Sequence, residues 1–313
     1  MRSAFIQTLE ALADEDSRVC LIVGDLGYSV IERFAEAHPD QFVNAGVAEQ
    51  NMIGLATGMA LSGRIVFTYS IGNFATLRCL EQIRNDVCYH QANVKVVAVG
   101  GGLAYGSLGA SHHATEDLAI LRALPELTVV APGDPVEARL ATRALAEASG
   151  PAYLRLGKAG ERVVHDDEPS FRIGKAITVR DGGDITLIST GSALPLTVDL
   201  AAHLARHGTS ARVLSMHTIS PLDKQAVIDA AVGTRLIVSL EEHSVVGGLG
   251  SAVAEVLAEL PEPRARLRRI GLAHVFNRTV GSHEYLRSQH GFNLETVSEI
   301  TDKLVEELNG VAR

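Results

Sequence analysis

Short runs of β-branched and aliphatic residues recur along the chain, each followed by a longer segment with helical spacing. This alternation limits the fold more than any other feature of the sequence. Strands are expected at Arg18–Gly24 (RVCLIVG), Phe42–Asn44, Ile65–Tyr69, Val94–Val99, Leu127–Ala131 and Ala152–Leu156. Helices are expected between them, at about Val30–His38, from Glu49 onward, at Ile71–Tyr89, at Thr115–Leu124, and from Pro135 through Ser149 with Asp134 as its cap. Such alternation yields a mainly parallel sheet covered by helices on both faces. Periodicity lapses over 157–183, where HDDEPS and the glycines at 182 and 183 mark a connection. A second series then begins, with strands at Ile185–Ser189, Ala211–Ser215, Arg235–Leu240 and Leu267–Gly271. Its helices are expected at Leu194–Arg206, Asp223–Ala231, Ser251–Leu260 and near Glu295–Leu308. The expected fold class is therefore α/β with two domains, each a mostly parallel sheet flanked by helices. The boundaries fall at 1–165, a linker at 166–183, and 184–313.

A chain of 313 residues is long enough for two such domains. A formal net charge of -9 and the lack of any Lys/Arg run argue against nucleic acid as the partner. Cys20, Cys79 and Cys88 have neither metal-ligand spacing nor a disulfide pattern, so a reducing cytoplasm is the expected compartment. The opening MRSAFIQTLEALADED has the pattern of an amphipathic helix rather than a signal peptide, and no apolar stretch reaches membrane-spanning length.

Two stretches are candidates for chemistry. In FVNAGVAEQNMIGLATGMALSG, Glu49 leads into a run with few charges, which predicts a largely buried helix. Gly54 and Gly58, four apart, leave room for another backbone or a flat ligand. Glu49 is either a first-turn carboxylate complementing the helix dipole or an acid/base group taken out of water. The second stretch, GGGLAYGSLGASHHATED (100–117), is a long glycine-bearing loop at a strand end, a place where ligand-binding loops gather. His112 and His113 are adjacent, so in extended backbone they point opposite ways and would not chelate one metal. The turn EEHSVVGGLG (241–250) lacks the GxGxxG fingerprint, Asp223 has the place of a helix cap, and neither a GxSxG elbow nor a GxxxxGK[ST] loop occurs.

Taken in order, GDLGYSV, FVNAGVAEQNMIGLATGMALSG, YSIGNFATLRCLEQIRND, GASHHATEDLAILR and PGDPVEA resemble the C-terminal half of transketolases. ISTGSA, TISPLD and EEHSVVGGLGSAVAEVL resemble that family's C-terminal domain, so the resemblance covers essentially the whole chain. It extends to the separately encoded C-terminal subunits of split transketolases. More distantly it reaches deoxyxylulose-phosphate synthases and the β subunits of 2-oxoacid dehydrogenase E1. The resemblance implies a thiamine diphosphate enzyme in which a glutamate at the position of Glu49 hydrogen-bonds N1′ of the aminopyrimidine. That bond favours the imino tautomer that deprotonates the thiazolium. It further implies that Phe74 stacks on the pyrimidine, that Asp25 and Leu26 lie near the cofactor, and that Ile71 stands where another aromatic is usual. His112 is implied as a catalytic contact to substrate or intermediate. Glu81, Gln82 and Arg84 are implied to support a subunit contact.

In the family, Mg²⁺ and the diphosphate are held by a GDG…N motif of a preceding domain. Here GDL, GDP and GDI do not qualify. No metal ligand is thus expected in this chain. A partner N-terminal-type subunit carrying that motif would supply Mg²⁺ binding and share the cofactor, in an α2β2 assembly. For substrate, the resemblance points to Arg2, Ser29 and Lys158 near sugar-phosphate positions. Gly100 and Leu108 replace a His and an Asp, and His113 replaces a Gln. The implied reaction is two-carbon ketol transfer from a ketose to an aldehyde. The alternatives are a decarboxylative condensation of pyruvate with an aldehyde and a non-catalytic scaffold or regulatory subunit.

Overall fold

Most of the apolar runs form the strands of two sheets in a computed structural model of the chain, which describes residues 1–262 and 264–311. The strands are β1 (Val19–Val23), β2 (Phe42–Asn44), β3 (Ile65–Ile71), β4 (Val94–Val99), β5 (Thr128–Val130), β6 (Ala152–Leu156), β7 (Ile177–Arg180), β8 (Ile185–Thr190), β9 (Ala211–Ser215), β10 (Thr218–Ser220), β11 (Leu236–Ser244) and β12 (Arg266–Leu272). The first sheet has the order β10-β5-β6-β4-β3-β1-β2 and the second β12-β11-β8-β9-β7. Strands β1, β4 and β6 are buried along their whole length, as expected of parallel strands covered on both faces. Neighbouring residues serve opposite layers: Leu21 packs with Phe5, Phe67 and Tyr69, whereas Ile22 packs with Met52, Ile53 and Ile83.

Two strands appear where none was expected. β7 lies inside the stretch assigned to the linker and runs antiparallel to β9 at the edge of the second sheet. Only Ile177 of its four residues is buried, too little apolar signal to stand out in the sequence. β10, three residues from the second series, crosses to the first sheet and pairs antiparallel with β5, Thr218 opposite Val130. β11 is longer than expected, so Glu241–Ser244 continue a fully buried strand rather than starting a loop. A short helix at His283–Gln289 was also not foreseen.

The helical segments bring three further corrections. Val30–His38 contracts to Glu32–Ala37. Ile71–Tyr89 is broken into a turn at Gly72–Ala75, a 3-10 turn at Leu77–Cys79, one helical turn at Leu80–Gln82 and a π-turn at Ile83–Cys88. The break falls at Thr76, whose hydroxyl donates back to the Gly72 carbonyl at 2.7 Å and whose backbone leaves the helical region. The helix Glu49–Leu61 is buried on one side only, through Met52, Ile53, Ala56 and Thr57. Gly54 and Gly58 sit on the open side, where a Cβ would meet nothing within 4 Å.

Parallel pairing aligns the carboxyl ends of the central strands: Val23 lies opposite both Asn44 and Tyr69, Ile71 opposite Val99, and Val99 opposite Leu156. The loops after β1, β2, β3 and β4 therefore leave one edge of the sheet, the place where open α/β sheets bind ligands. The second unit holds the longest of these loops through buried Glu242 on β11. Its carboxylate accepts from the Leu103 N–H at 2.8 Å and the Ser192 hydroxyl at 2.9 Å, and contacts His283 Nε2 at 2.7 Å. Gly102, at φ +68, lies so close that a Cβ there would come 2.4 Å from Glu242 Oε1. Arg155 adds a second tie, donating to Asp117 at 2.8 Å and to the backbone carbonyls of Ala114 and Glu242 at 2.7 and 3.1 Å.

Candidate active site

Glu49 is the first residue of its helix, and at 2% exposure its carboxylate is buried beneath the loop that follows β1. Room for it comes from Gly24, where a Cβ would stand 3.4 Å from Glu49 Cγ and 3.6 Å from Ser70 Oγ. That serine hydroxyl is itself buried without a protein partner. Arg78, from the broken segment after β3, donates from Nη1 to Glu49 Oε2 at 2.7 Å. The same guanidinium lies over the Phe74 ring, 4.5 Å from its centroid.

Contacts then continue across the sheet edge. Phe74 meets the His112 ring at 5.0 Å and an interplanar angle of 67°. His112 packs at 6.3 Å from Tyr105, and Lys158 Nζ sits 5.0 Å from the Tyr105 centroid. Gly100 allows this, since a Cβ there would overlap the Tyr105 ring at 2.1 Å. Burial lowers the His112 imidazole from its ordinary value and so keeps it neutral near pH 7. Its Nδ1 is 3.0 Å from the Ser111 hydroxyl. Burial raises the Tyr105 phenol, opposed by the nearby charge of Arg2. Burial raises Tyr69 as well, with Arg2 opposing again, so Arg2 serves both phenols.

The structure thus joins Glu49, Phe74, His112, Gly100, Lys158 and Arg2 along one edge. Leu26 and Ile71 pack half-buried against the first core, together with Tyr105. Asp25 is exposed, at φ 54, and accepts from Asn44 Nδ2 at 2.9 Å. Ser29 is also exposed and left-handed, and its N–H donates to Glu32. Leu108 is 51% exposed on the turn Gly106–Leu108.

His113 does not join the others. At 4% exposure it faces a separate cavity of about 240 Å³ between the two units, which His112 does not line. Burial lowers its imidazole too, and its Nε2 has no protein partner. Opposite side-chain directions at adjacent positions explain the separation.

Two residues of this edge were missed in the sequence. Arg78 follows Phe74 by four, the spacing at which side chains meet on a helical face, and that was the available signal. Tyr105 is one of few aromatics in the chain and lies inside the glycine loop. Among the described residues, no group of three or more His, Cys, Asp or Glu side chains is placed to hold a metal.

A buried carboxylate, an aromatic face beside it and an unpartnered buried hydroxyl fit a flat heterocycle with ring nitrogens. A neutral imidazole next to that face can donate or accept a hydrogen bond, and two cations flank the outer tyrosine.

Comparison with known proteins gives a consistent result. Residues 1–161 match the family model for the transketolase pyrimidine binding domain, and residues 174–297 match that for the transketolase C-terminal domain. One of the two subunits of an apulose-4-phosphate transketolase from Phocaeicola vulgatus is 37% identical, with 97% of both chains covered. A 6-deoxy-6-sulfo-D-fructose transketolase subunit from a Clostridium species is 35% identical, covering 99% of this chain and 95% of that protein. Among solved structures, a split-gene transketolase described as an inactive β4 tetramer superposes with a TM-score of 0.87 at 36% identity, with 97% of both chains covered.

Proposed function

Because the chain belongs to the transketolase family, we propose that it is the C-terminal subunit of a split enzyme moving a two-carbon ketol unit from a ketose to an aldehyde. The observation that carries this is the buried Glu49 beside Phe74, in a chain matching whole subunits rather than fragments of relatives. Thiamine diphosphate, when bound, supplies the carbanion chemistry. Glu49 would share a proton with a nitrogen of the aminopyrimidine. Phe74 would support the ring face, and Ile71, Leu26 and Asp25 would surround it. His112, held neutral by burial, would hydrogen-bond a substrate oxygen. Arg2 and Lys158, on either side of Tyr105, suit the anionic end of a phosphorylated substrate, with Ser29 beside them. Gly100 and Leu108 would shape the acceptor side, and His113 would act on it only indirectly.

Mg²⁺ and the diphosphate would be held by a partner N-terminal-type subunit carrying GDG…N, in an α2β2 complex of the cytoplasm. The open face of the Glu49 helix, with Gly54 and Gly58, is the surface we assign to that partner. The β4 relative described as inactive supports the view that such a chain does not work alone.

The test is a donor screen on the reconstituted pair. Turnover of a ketose with an aldehyde, without CO₂ release, is expected. Release of CO₂ from pyruvate would favour decarboxylative condensation. Turnover unaffected by Glu49→Ala would favour a scaffold role.

A further inference from the structure

We propose that Arg78 is a displaceable latch: in the chain by itself its guanidinium takes the carboxylate of Glu49 and the face of Phe74, and it must swing out before the aminopyrimidine can enter. The latch rests on the assignment of Glu49 and Phe74 given above. A guanidinium is a planar group with N–H donors around its edge. Here it hydrogen-bonds Glu49 Oε2 at 2.7 Å while lying 4.5 Å from the Phe74 centroid. A planar aminopyrimidine would use the same carboxylate and the same ring, and the two groups cannot share one volume.

The alternative is a permanent structural ion pair, and the same protein shows what one looks like. Arg155 and Asp117 are both buried, joined through two guanidinium nitrogens, with Tyr153 and two backbone carbonyls completing the set. Arg78 differs on each count. It is 45% exposed, and among the described residues its only hydrogen bond is the one to Glu49. It sits on the three-residue 3-10 turn Leu77–Cys79, directly after the irregular backbone of Thr76. Its side chain can leave towards solvent without opening the core, at the small cost typical of exposed charges.

The latch also sets the chemical state of the site. A guanidinium against Glu49 favours the charged carboxylate, whereas sharing a proton with a ring nitrogen needs a proton at that position. With Arg78 in place the acid/base group is engaged and idle. Its departure leaves a buried carboxylate without a counter-charge, which a ring able to share a proton then relieves.

The test is calorimetric titration of thiamine diphosphate, with Mg²⁺, into the full chain reconstituted with its N-terminal-type partner. Arg78→Ala should bind the cofactor about tenfold tighter than wild type, because no competing state remains to be displaced. Arg78→Lys should fall between, since an ammonium keeps the charge but loses the plane. In wild-type complex labelled with ¹⁵N-arginine, the Arg78 Nε signal, identified by its loss in Arg78→Lys, should move at cofactor saturation, independently of turnover and of any variant's folding. Equal or weaker binding by Arg78→Ala where wild type binds, or an Arg78 signal unmoved at saturation, overturns the latch alone. Failure of the wild-type complex to bind the cofactor overturns the Glu49 and Phe74 assignment and the latch with it.

Discussion

Glu49 shows how little one residue reveals without its neighbours. As a first-turn glutamate it could serve only the helix dipole, but Gly24 and the loop after β1 bury it and Phe74 comes alongside. Removing the carboxylate with Glu49→Ala should cut turnover of the reconstituted enzyme by about 100-fold or more, the range for preorganised catalytic groups. Steady-state rates with a saturating ketose donor decide it, and a loss under tenfold would mean another group does the work. His112 belongs to the same scale. Burial lowers its imidazole, so the neutral form persists below the ordinary histidine range. The acid limb of the rate profile should therefore lie below about pH 6.5, and His112→Phe should remove that limb. A limb above that value would contradict the assignment. Glu49 and His112 were legible because they lie in ordered motifs. Arg78 was not, since an arginine in a polar helical stretch reads as a solvated face and its partner is 29 residues away in sequence.

At the scale of elements, local signals were read well and long-range pairings poorly. Asp134 caps the helix Pro135–Glu147 as its place before Pro135 suggests, accepting from the Glu137 N–H at 2.8 Å. The sequence does not show that its other oxygen accepts from the N–H groups of Val164 and His165, at 2.8 and 3.1 Å. Asp134 is therefore both a cap and a clamp on the segment leaving the first sheet. Asp134→Ala should cost about 3 kcal/mol, above an ordinary cap, because buried N–H groups are left without partners. Urea denaturation measures this, and a loss below about 1 kcal/mol would show the clamp to be idle. β7 and β10 escaped notice for a related reason. Each is a short edge strand whose hydrogen bonds come from a remote antiparallel neighbour, and too few of its residues carry a periodic pattern. Segment 71–89 has helical composition throughout, but the Thr76 hydroxyl competing for the Gly72 carbonyl breaks it.

For the whole molecule, the two units are joined through Glu242, and this junction gives stability a defined dependence on pH. Burial alone would raise the Glu242 carboxyl. The hydrogen bond and charge of His283, with Arg287 and the Leu103 N–H, outweigh it and hold the carboxyl at about 2. For His283 burial pulls downward, but Glu242 prevails and raises the imidazole. Glu242's contribution is complete above its unfolded value of about 4.3 and is lost as pH falls through about 2. The contribution of His283 is complete below about pH 6.5 and is lost as pH rises through its raised folded value. The stability gap between wild type and His283→Ala should thus be wider at about pH 5 than at about pH 9. Urea midpoints at the two values test it, and an equal or reversed gap would contradict the pairing. The division into two α/β units was plain from the lapse in periodicity, whereas the crossing of β10 into the first sheet was not.

The central claim is that this chain holds the aminopyrimidine half of a site whose diphosphate half belongs to another subunit. The direct measurement is Mg²⁺-dependent binding of thiamine diphosphate to the purified chain, with and without its N-terminal-type partner. No saturable binding by the chain alone, and saturable binding once the partner is added, is the predicted result. Tight Mg²⁺-dependent binding by the chain alone would contradict it.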